Sequence, residues 1–334
     1  MNFEKRKVKS IPQTTAIVGA LTTCLAISLP FITSTFWVRI TTGVLMWIAL
    51  AQSWNIIGGY TGYINFGHGA FFGIGAYFTG LTMKLLGIPF FLSVILAGLL
   101  NSILAFLIGL PTLRLRGAYF AISTWAFAEA IRQLANILKL TGGSYGFRLP
   151  AYLNEVFFYF VMLGAALLTM SCTYILVDRS RFGLCLRAIR DAPDAAESLA
   201  VDTTKEKLKA FALSAFFPGM IGGIYAYWLT FIHPNNVLSL LITDQMVVMA
   251  LVGGVGTFWG PAIGAIVIQL TNRLIWLIFG AEVYYLILLG LAVGAVVLLM
   301  PDGIVGLMMR ARLRPSSISA PSRQNSTGKN VTTD

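Results

Sequence analysis

Charge is the scarcest property of this sequence: 11% of its 334 residues are Asp, Glu, Lys or Arg, whereas 57% are apolar. Soluble domains carry about 25% charged and roughly 45–50% apolar residues. Too little polar surface remains here to face water, so a lipid bilayer is the solvent that fits. Acidic side chains are fewer still, 13 against 24 Lys and Arg, for a net charge of +11. In a soluble chain that excess would point to nucleic acid. Here the basic residues fall beside apolar spans, and no basic stripe is interleaved with exposed aromatics, so no nucleic-acid partner is expected. The only histidines are His68 and His233, which the topology below puts on opposite sides of the membrane, against a paired-histidine metal site. Cys24, Cys172 and Cys185 lack metal-ligand spacing and read as buried or incidental thiols. No catalytic set is visible, and no cofactor or metal is expected. The chain also has no G-x-x-x-x-G-K-S/T loop to cradle ATP, so any ATP-driven step needs another subunit.

What is abundant is apolar sequence in long runs. A helical crossing takes about 20 mostly apolar residues. Such windows fall at roughly 14–34, 36–57, 70–87, 89–110, 117–137, 153–177, 209–232, 244–258, 260–280 and 283–300. The eighth is short enough to be a half-helix or a tilted partner of the ninth. The first follows Lys5, Arg6, Lys7 and Lys9 as in a signal peptide. It exceeds the roughly 7–15 residues of an h-region and lacks a small-x-small cleavage site, so it is expected to stay as a span. With the N-terminus inside, most basic residues fall in cytoplasmic pieces: the N-terminal four, Arg114 and Arg116, the group from Arg179 to Lys209, and that from Arg310 to Lys329. Lys and Arg orient membrane proteins in this way. The expected fold is all-α, a polytopic transmembrane helix bundle of about ten spans (eight as runner-up) with cytoplasmic N- and C-termini. Its parts are a basic cytoplasmic N-terminus at 1–13, a transmembrane domain at 14–306 with a cytoplasmic loop at 178–209, and a disordered polar tail at 307–334.

Two interruptions of this apolar pattern carry the functional reading. The stretch Gly58 to Gly69 is too glycine-rich to hold a stable helix. Non-helical backbone at membrane depth survives only when buried in protein or lining a wet cavity. Asn55, Thr61, Asn65 and His68 would give such a cavity polar edges; the plainer reading is a tight cytoplasmic turn. The second interruption is Asp178 to Lys209. Asp191 is a suitable N-cap with Pro193 in the first turn, and Ala195, Ala196, Leu199 and Ala200 then share one face. Thr203 and Glu206 have capping-box spacing for the next helix. A short helix of this kind suits insertion into a partner's groove or a place on the headgroups, and the pattern favours neither. Within spans, Glu129 and Arg132 are spaced to neutralise each other and are path candidates as intramembrane ionisable residues. Glycines four apart (Gly69 and Gly73, Gly256, Gly260 and Gly264, Gly290 and Gly294) fit close helix packing. A weak internal echo links 70–77 with 215–227.

The stretch Asp194-Ala195-Ala196-Glu197-Ser198-Leu199-Ala200 resembles the E-A-A-x-x-x-G loop through which ABC importer permeases engage their ATPases. More broadly, the chain resembles the LivM-type permease subunit of branched-chain amino acid ABC importers. The resemblance rests on Gly59-Tyr60-Thr61-Gly62, on Gly67-His68-Gly69 through Tyr77, and on Leu113-Arg114-Leu115-Arg116-Gly117-Ala118-Tyr119. It continues in Thr141 to Gly146, Ser180 to Gly183, Arg187-Ala188-Ile189-Arg190, Gly253 to Pro261 and Pro301-Asp302-Gly303. These run in family order from about 45 to 306. Asp194 stands where the loop motif has Glu, Ala200 where it has Gly, and Pro193 is atypical.

The resemblance implies an ATP-driven subunit of a bacterial inner (cytoplasmic) membrane, without an ATPase motif of its own, moving branched-chain or related amino acids inward. Its implied partners are a second homologous permease, two cytoplasmic ATPase subunits and an extracytoplasmic solute-binding protein, which would meet outer segments such as 141–150 and 233–244. Arg190, Asp194, Ala195, Ala196, Glu197, Leu199 and Ala200 form the implied ATPase-coupling loop. Tyr119, within a matched stretch, joins Asn55, Thr61, Asn65, His68 and Glu129 as the candidate translocation path. The competing expectation is an ion- or proton-coupled secondary transporter of a small polar solute.

Overall fold

The computed structural model describes residues 26–115, 117–279, 290, 291, 294 and 303–306. Most of the expected windows are helices: α1 (Thr35–Gly58), α2 (His68–Leu85), α3 (Phe90–Thr112), α4 (Ala118–Ile137) and α5 (Glu155–Cys172). A π-helical turn (Thr173–Asp178) extends α5, and the charged loop then folds as α6 (Arg181–Asp191) and α7 (Pro193–Ser198). There follow α8 (Thr203–Leu229), the short α9 (Pro234–Val237), α10 (Leu240–Gly253) and α11 (Gly260–Phe279). Among the described residues, five segments are long and apolar enough to cross a membrane: Thr35–Gly58, Phe90–Thr112, Glu155–Asp178, Thr203–Leu229 and Pro234–Gly253. The expected spans at 70–87, 117–137 and 260–280 coincide with α2, α4 and α11. Those at 14–34 and 283–300 lie largely outside the described residues, as does the tail.

Contacts along the helices fix their relative directions. Arg39 meets Glu155 near the start of α1 and α5, and Tyr60 meets Asp178 just past their ends, so the two run parallel. α2 also runs parallel to α8, with Phe71 against Phe211 and Phe72 against Tyr225. α3 runs antiparallel to α8, since Gly98 faces Phe216 and Gly109 faces Leu208. α10 and α11 form a hairpin held by Gly253 on Gly260 and Gly264 on Met249. One end of the bundle thus gathers the turns at 59–67, 113–117, 179–202 and 254–259, with Arg179, Arg181, Arg187 and Arg190. The other gathers 86–89, 138–154 and 230–239, where Phe147–Arg148 pairs antiparallel with Phe231–Ile232.

Glycine sets the closest approaches. A Cβ on Gly222 would lie 1.9 Å from the Phe72 carbonyl oxygen, and one on Gly75 would lie 2.0 Å from that of Gly219. The echoing segments 70–77 and 215–227 are therefore the ones that press together, backbone on backbone, as small residues allow in lipid. Gly69 and Gly73 likewise admit the 237–243 stretch, so the spaced glycines described there serve packing within the chain.

The α2–α8 contacts also reveal depth. Phe71, one turn into α2, faces Phe211 in the third turn of α8, and Gly75 faces Gly219 beyond the middle of α8. α2 therefore begins well inside the bundle. Residues 59–67 turn at the basic end and climb back as non-helical backbone to reach it. Several backbone groups of that climb are satisfied by protein, as burial demands. The Trp54 indole N–H donates to the Asn65 carbonyl at 2.9 Å, and the Phe66 N–H donates to the Thr124 hydroxyl at 3.2 Å.

Candidate coupling surface and translocation path

The loop between Asp178 and Lys209 departs from the sequence expectation in three ways. Asp191 is not an N-cap: it is the last residue of α6, an amphipathic helix that buries Gly183, Leu186 and Ile189. α6 is started by Ser180, whose hydroxyl accepts from the Gly183 N–H at 3.2 Å, and a bend at Ala192 separates it from α7. The expected shared face of Ala195, Ala196, Leu199 and Ala200 is also split. α7 stops at Ser198, so only Ala196 turns inward, while Ala195, Leu199 and Ala200 are exposed. Third, Thr203 and Glu206 do not form a capping box. Asp202 caps α8 by accepting from the Lys205 N–H at 3.0 Å, Thr203 donates instead to Glu197 at 2.6 Å, and Glu206 pairs with Lys209. The side-chain contact with Lys205, with its N–H, holds the Asp202 carboxyl below its ordinary range. A depressed carboxylate favours the fold above its unfolded pKa and loses that effect as pH falls through the folded value.

The end of α7 explains one departure from the family motif. The Val201 N–H bonds to the Ala196 carbonyl and the Ala200 N–H to the Glu197 carbonyl, the paired bonds of a Schellman ending. The residue that closes such an ending is left-handed, and Ala200 has φ +61°. Glycine takes that conformation without a Cβ penalty. Ala200→Gly is accordingly expected to stabilise the loop end by about 1 kcal/mol, read as slower amide exchange at residues 197–201; unchanged exchange would show that the turn carries no strain.

Arg190 ties this loop to the bundle. Its Nη1 donates to the Gly59 carbonyl at 2.7 Å, a group just past the last turn of α1. Gly62 and Gly256 leave room for it, since a Cβ on Gly256 would lie 2.2 Å from Nη1. Beside it, Arg187 pairs with Asp178 and lies over the Tyr60 ring. Burial, reinforced by the Asp178 carboxylate, raises the Tyr60 phenol above its ordinary value, keeping it a proton donor to Asp178. Arg190 thus joins two glycine-rich turns, 59–67 and 254–259, whereas Asp194, Ala195 and Leu199 project outward, Leu199 with 79% of its surface exposed.

Of the path candidates, Asn55, Thr61, Asn65 and His68 are all fully enclosed, and of these Asn65 and His68 touch. The Asn55 amide donates to the Thr257 carbonyl at 3.0 Å and its oxygen accepts from the Gly256 N–H at 2.8 Å. The Thr61 hydroxyl donates to the Ile57 carbonyl. Asn65 contacts the His68 ring at 2.9 Å and caps the Gly67 N–H at 2.7 Å. Glu129 stands apart on α4, paired with Arg132 as its spacing predicted. Arg132 also donates to Asn235 at 3.0 Å, linking α4 to the opposite-end segment. Tyr119 is exposed near the basic end and joins neither group. The segments 141–150 and 233–244, expected to face a binding protein, touch each other, with the Ser144 carbonyl 2.9 Å from the His233 ring nitrogen.

Two charged residues escaped the sequence reading. Lys207, grouped there with solvated loop lysines, is only 6% exposed and donates to the Tyr63 hydroxyl at 3.2 Å. Asp244, placed at an outer edge, lies in the second turn of α10, next to Thr243, whose hydroxyl accepts from the Gly69 N–H at 2.8 Å. That bond puts Asp244 beside the buried start of α2. The signal was present: a single acid within the apolar run Leu240 to Val252.

Comparison with known proteins agrees with this architecture. A family model described as the permease component of branched-chain amino acid transport systems matches residues 36–297. The LivM high-affinity branched-chain amino acid permease protein of Salmonella typhimurium is 29% identical, over 90% of this chain and 77% of its own length. The LivM protein of Escherichia coli K12 shows the same identity and coverage. A probable LivM permease of Methanocaldococcus jannaschii is 27% identical over 67% of this chain and 77% of its own. No solved structure matches. A multi-pass helical membrane protein whose sequence fits that model over nearly its whole described length belongs to the family of branched-chain amino acid transport permease components.

Proposed function

We propose that this chain is the membrane-spanning permease subunit of an ATP-driven ABC importer that moves branched-chain or related amino acids into the cytoplasm. The observation that carries the proposal is the build of the 178–209 segment. A projecting tip at Ala195–Leu199 is fastened by Arg190 to the turns that end α1 and open α11. A push on the tip would reach the transmembrane helices through that fastening. The family and the names of its relatives support amino acids as cargo.

In this reading the basic end is cytoplasmic, about ten spans cross a bacterial inner membrane, and both termini lie inside. The 14–306 region is the permease domain, flanked by the basic N-terminus at 1–13 and a cytoplasmic tail at 307–334. A second, homologous permease faces this one, two ATPases dock on the cytoplasmic side, and a solute-binding protein meets the joined 141–150 and 230–239 segments. The coupling residues are Arg190, Asp194, Ala195, Ala196, Glu197, Leu199 and Ala200. Asn55, Thr61, Asn65 and His68 hold the broken start of α2, and Glu129 and Tyr119 flank the path at its two ends.

The test is purification of the tagged chain from native membranes with a photo-crosslinker at position 199. Capture of a P-loop ATPase supports the proposal, and capture of lipid alone argues against it. The second reading, an ion-coupled transporter, draws on Asp244, an ionisable group inside the bundle. It expects uptake that follows an ion gradient and ignores ATP.

A further inference from the structure

A groove of about 520 Å³ lies at the basic end of the bundle, lined by the π-helical turn, the start of α6 and the first turns of α8. Leu176, Phe182 and Leu213 give it an apolar floor, and Arg181, Glu206 and Lys209 give it charges. Its level follows from the spans beside it. The apolar segment that contains α5 ends at Asp178, and the one formed by α8 begins at Thr203. The groove therefore sits where two crossings reach the headgroups, and Leu213, about three turns into α8, carries its floor into the apolar layer. Ile175 and Leu176 on the π-helical turn and Leu184 on α6 are exposed around it, as side chains facing lipid are.

The charges leave one positive unit over. The Glu206 carboxylate is bonded to the Lys209 ammonium at 2.8 Å and is the more buried of the two. That pair is neutral, and the ammonium keeps further N–H donors on its outer side. The Arg181 side chain makes no ion pair or hydrogen bond among the described residues, unlike Arg187, which Asp178 holds. A guanidinium presents a planar fork that matches phosphate. A forked cation and an ammonium above an apolar floor complement a single phosphodiester carried on acyl chains. A soluble anion would leave the floor bare, and an uncharged apolar partner would leave Arg181 without a counterion. Basic pockets between spans at the cytoplasmic face hold anionic headgroups in this way.

We propose that this groove seats an anionic phospholipid, its phosphodiester bridging Arg181 and Lys209 and an acyl chain lying along Phe182, Leu176 and Leu213. The headgroup ties α6, the helix that carries Arg190, to the base of α8, and so braces the charged loop from the membrane side. The inference goes beyond the transport reading and does not depend on the cargo.

The experiment places the full chain, purified with its partner subunits, in phosphatidylcholine nanodiscs doped with a photoactivatable phosphatidylglycerol. Labelled peptides are mapped by mass spectrometry. Labelling is expected at 175–185 and 206–213, and unlabelled phosphatidylglycerol should displace it while phosphatidylcholine and soluble glycerol phosphate should not. Arg181→Gln changes an exposed side chain and is expected to lower labelling about tenfold. Lys209→Gln leaves the Glu206 carboxylate uncompensated and is expected to lower it as well, whereas Glu206→Gln adds net positive charge and is expected to raise it. Equal labelling by a photoactivatable phosphatidylcholine, unmoved by Arg181→Gln, would mark ordinary boundary lipid and overturn the site. Displacement by glycerol phosphate would overturn it too, since the groove would then hold a free anion. So would a photo-crosslinker at position 182 that captures a partner subunit in place of lipid. Lipid binding is read directly, so a failure to transport amino acids would count against the transport reading and leave these outcomes unchanged.

Discussion

Leu199→Asp is expected to leave the permease folded while releasing its ATPase and abolishing ATP-driven uptake. Leu199 stands just beyond the end of α7 with 79% of its surface exposed, so its replacement removes no internal packing. An apolar side chain at a projecting tip contributes to binding by entering a partner's groove. Burying a charge there instead costs about 2 kcal/mol or more, roughly thirtyfold or more in affinity. Measured as the ATPase fraction recovered with the tagged permease, the loss should be nearly complete at micromolar dilution, with an unchanged thermal unfolding midpoint. Full recovery of the ATPase would mean that the tip is not the contact, and the loop would then read as a helix pair resting on the headgroups.

Arg190→Ala is expected to act one step later. The ATPase stays bound, because the tip is untouched, but hydrolysis no longer drives uptake. The substitution removes a charged donor from the Gly59 carbonyl, 2.7 Å away, and opens the space that Gly62 and Gly256 leave for the guanidinium. A hydrogen bond to a charged group is worth about 1.5–3 kcal/mol, so the link between loop and helix ends should weaken at least tenfold. The readout is amino acid transported per ATP hydrolysed, with partial recovery in Arg190→Lys, which keeps the charge but not the fork. Normal transport in Arg190→Ala would show that force passes by another route, with the Glu197–Thr203 contact next in line.

Much of the bundle was legible because lipid simplifies the code. α1, α3 and α5 are long apolar windows, and the break after Gly58 follows from glycine alone. The charged loop was harder, for local reasons. Asp191, Asp202 and Thr203 all satisfy capping rules, and only the packing of Leu186 and Ile189 decides that α6 runs through the first and α8 starts after the second. α6 itself was hidden because its three inward positions, Gly183, Leu186 and Ile189, are set among the basic residues Arg181, Arg187 and Arg190.

Lys207 shows how a helix separates neighbours that look alike. Lys205 and Lys209 are four apart and share an exposed face, whereas Lys207, between them, is turned inward onto Tyr63. Asp244 was missed for a different reason. Counting inward from a window's edge assumes that a span starts at the membrane surface, and α10 starts inside the bundle. The enclosure of Asn55 likewise depends on Gly256 and Thr257, and the turn that carries Asn65 and His68 is held at Phe66 by Thr124, all distant in sequence.

The most direct test of the account is uptake of labelled leucine by proteoliposomes holding this permease, its partner permease, the ATPases and the binding protein, with ATP on the loop side. Accumulation is expected to require ATP, to persist when ion gradients are collapsed, and to be lost with Leu199→Asp. Accumulation driven by a proton or sodium gradient without ATP, and indifferent to Leu199→Asp, would contradict it.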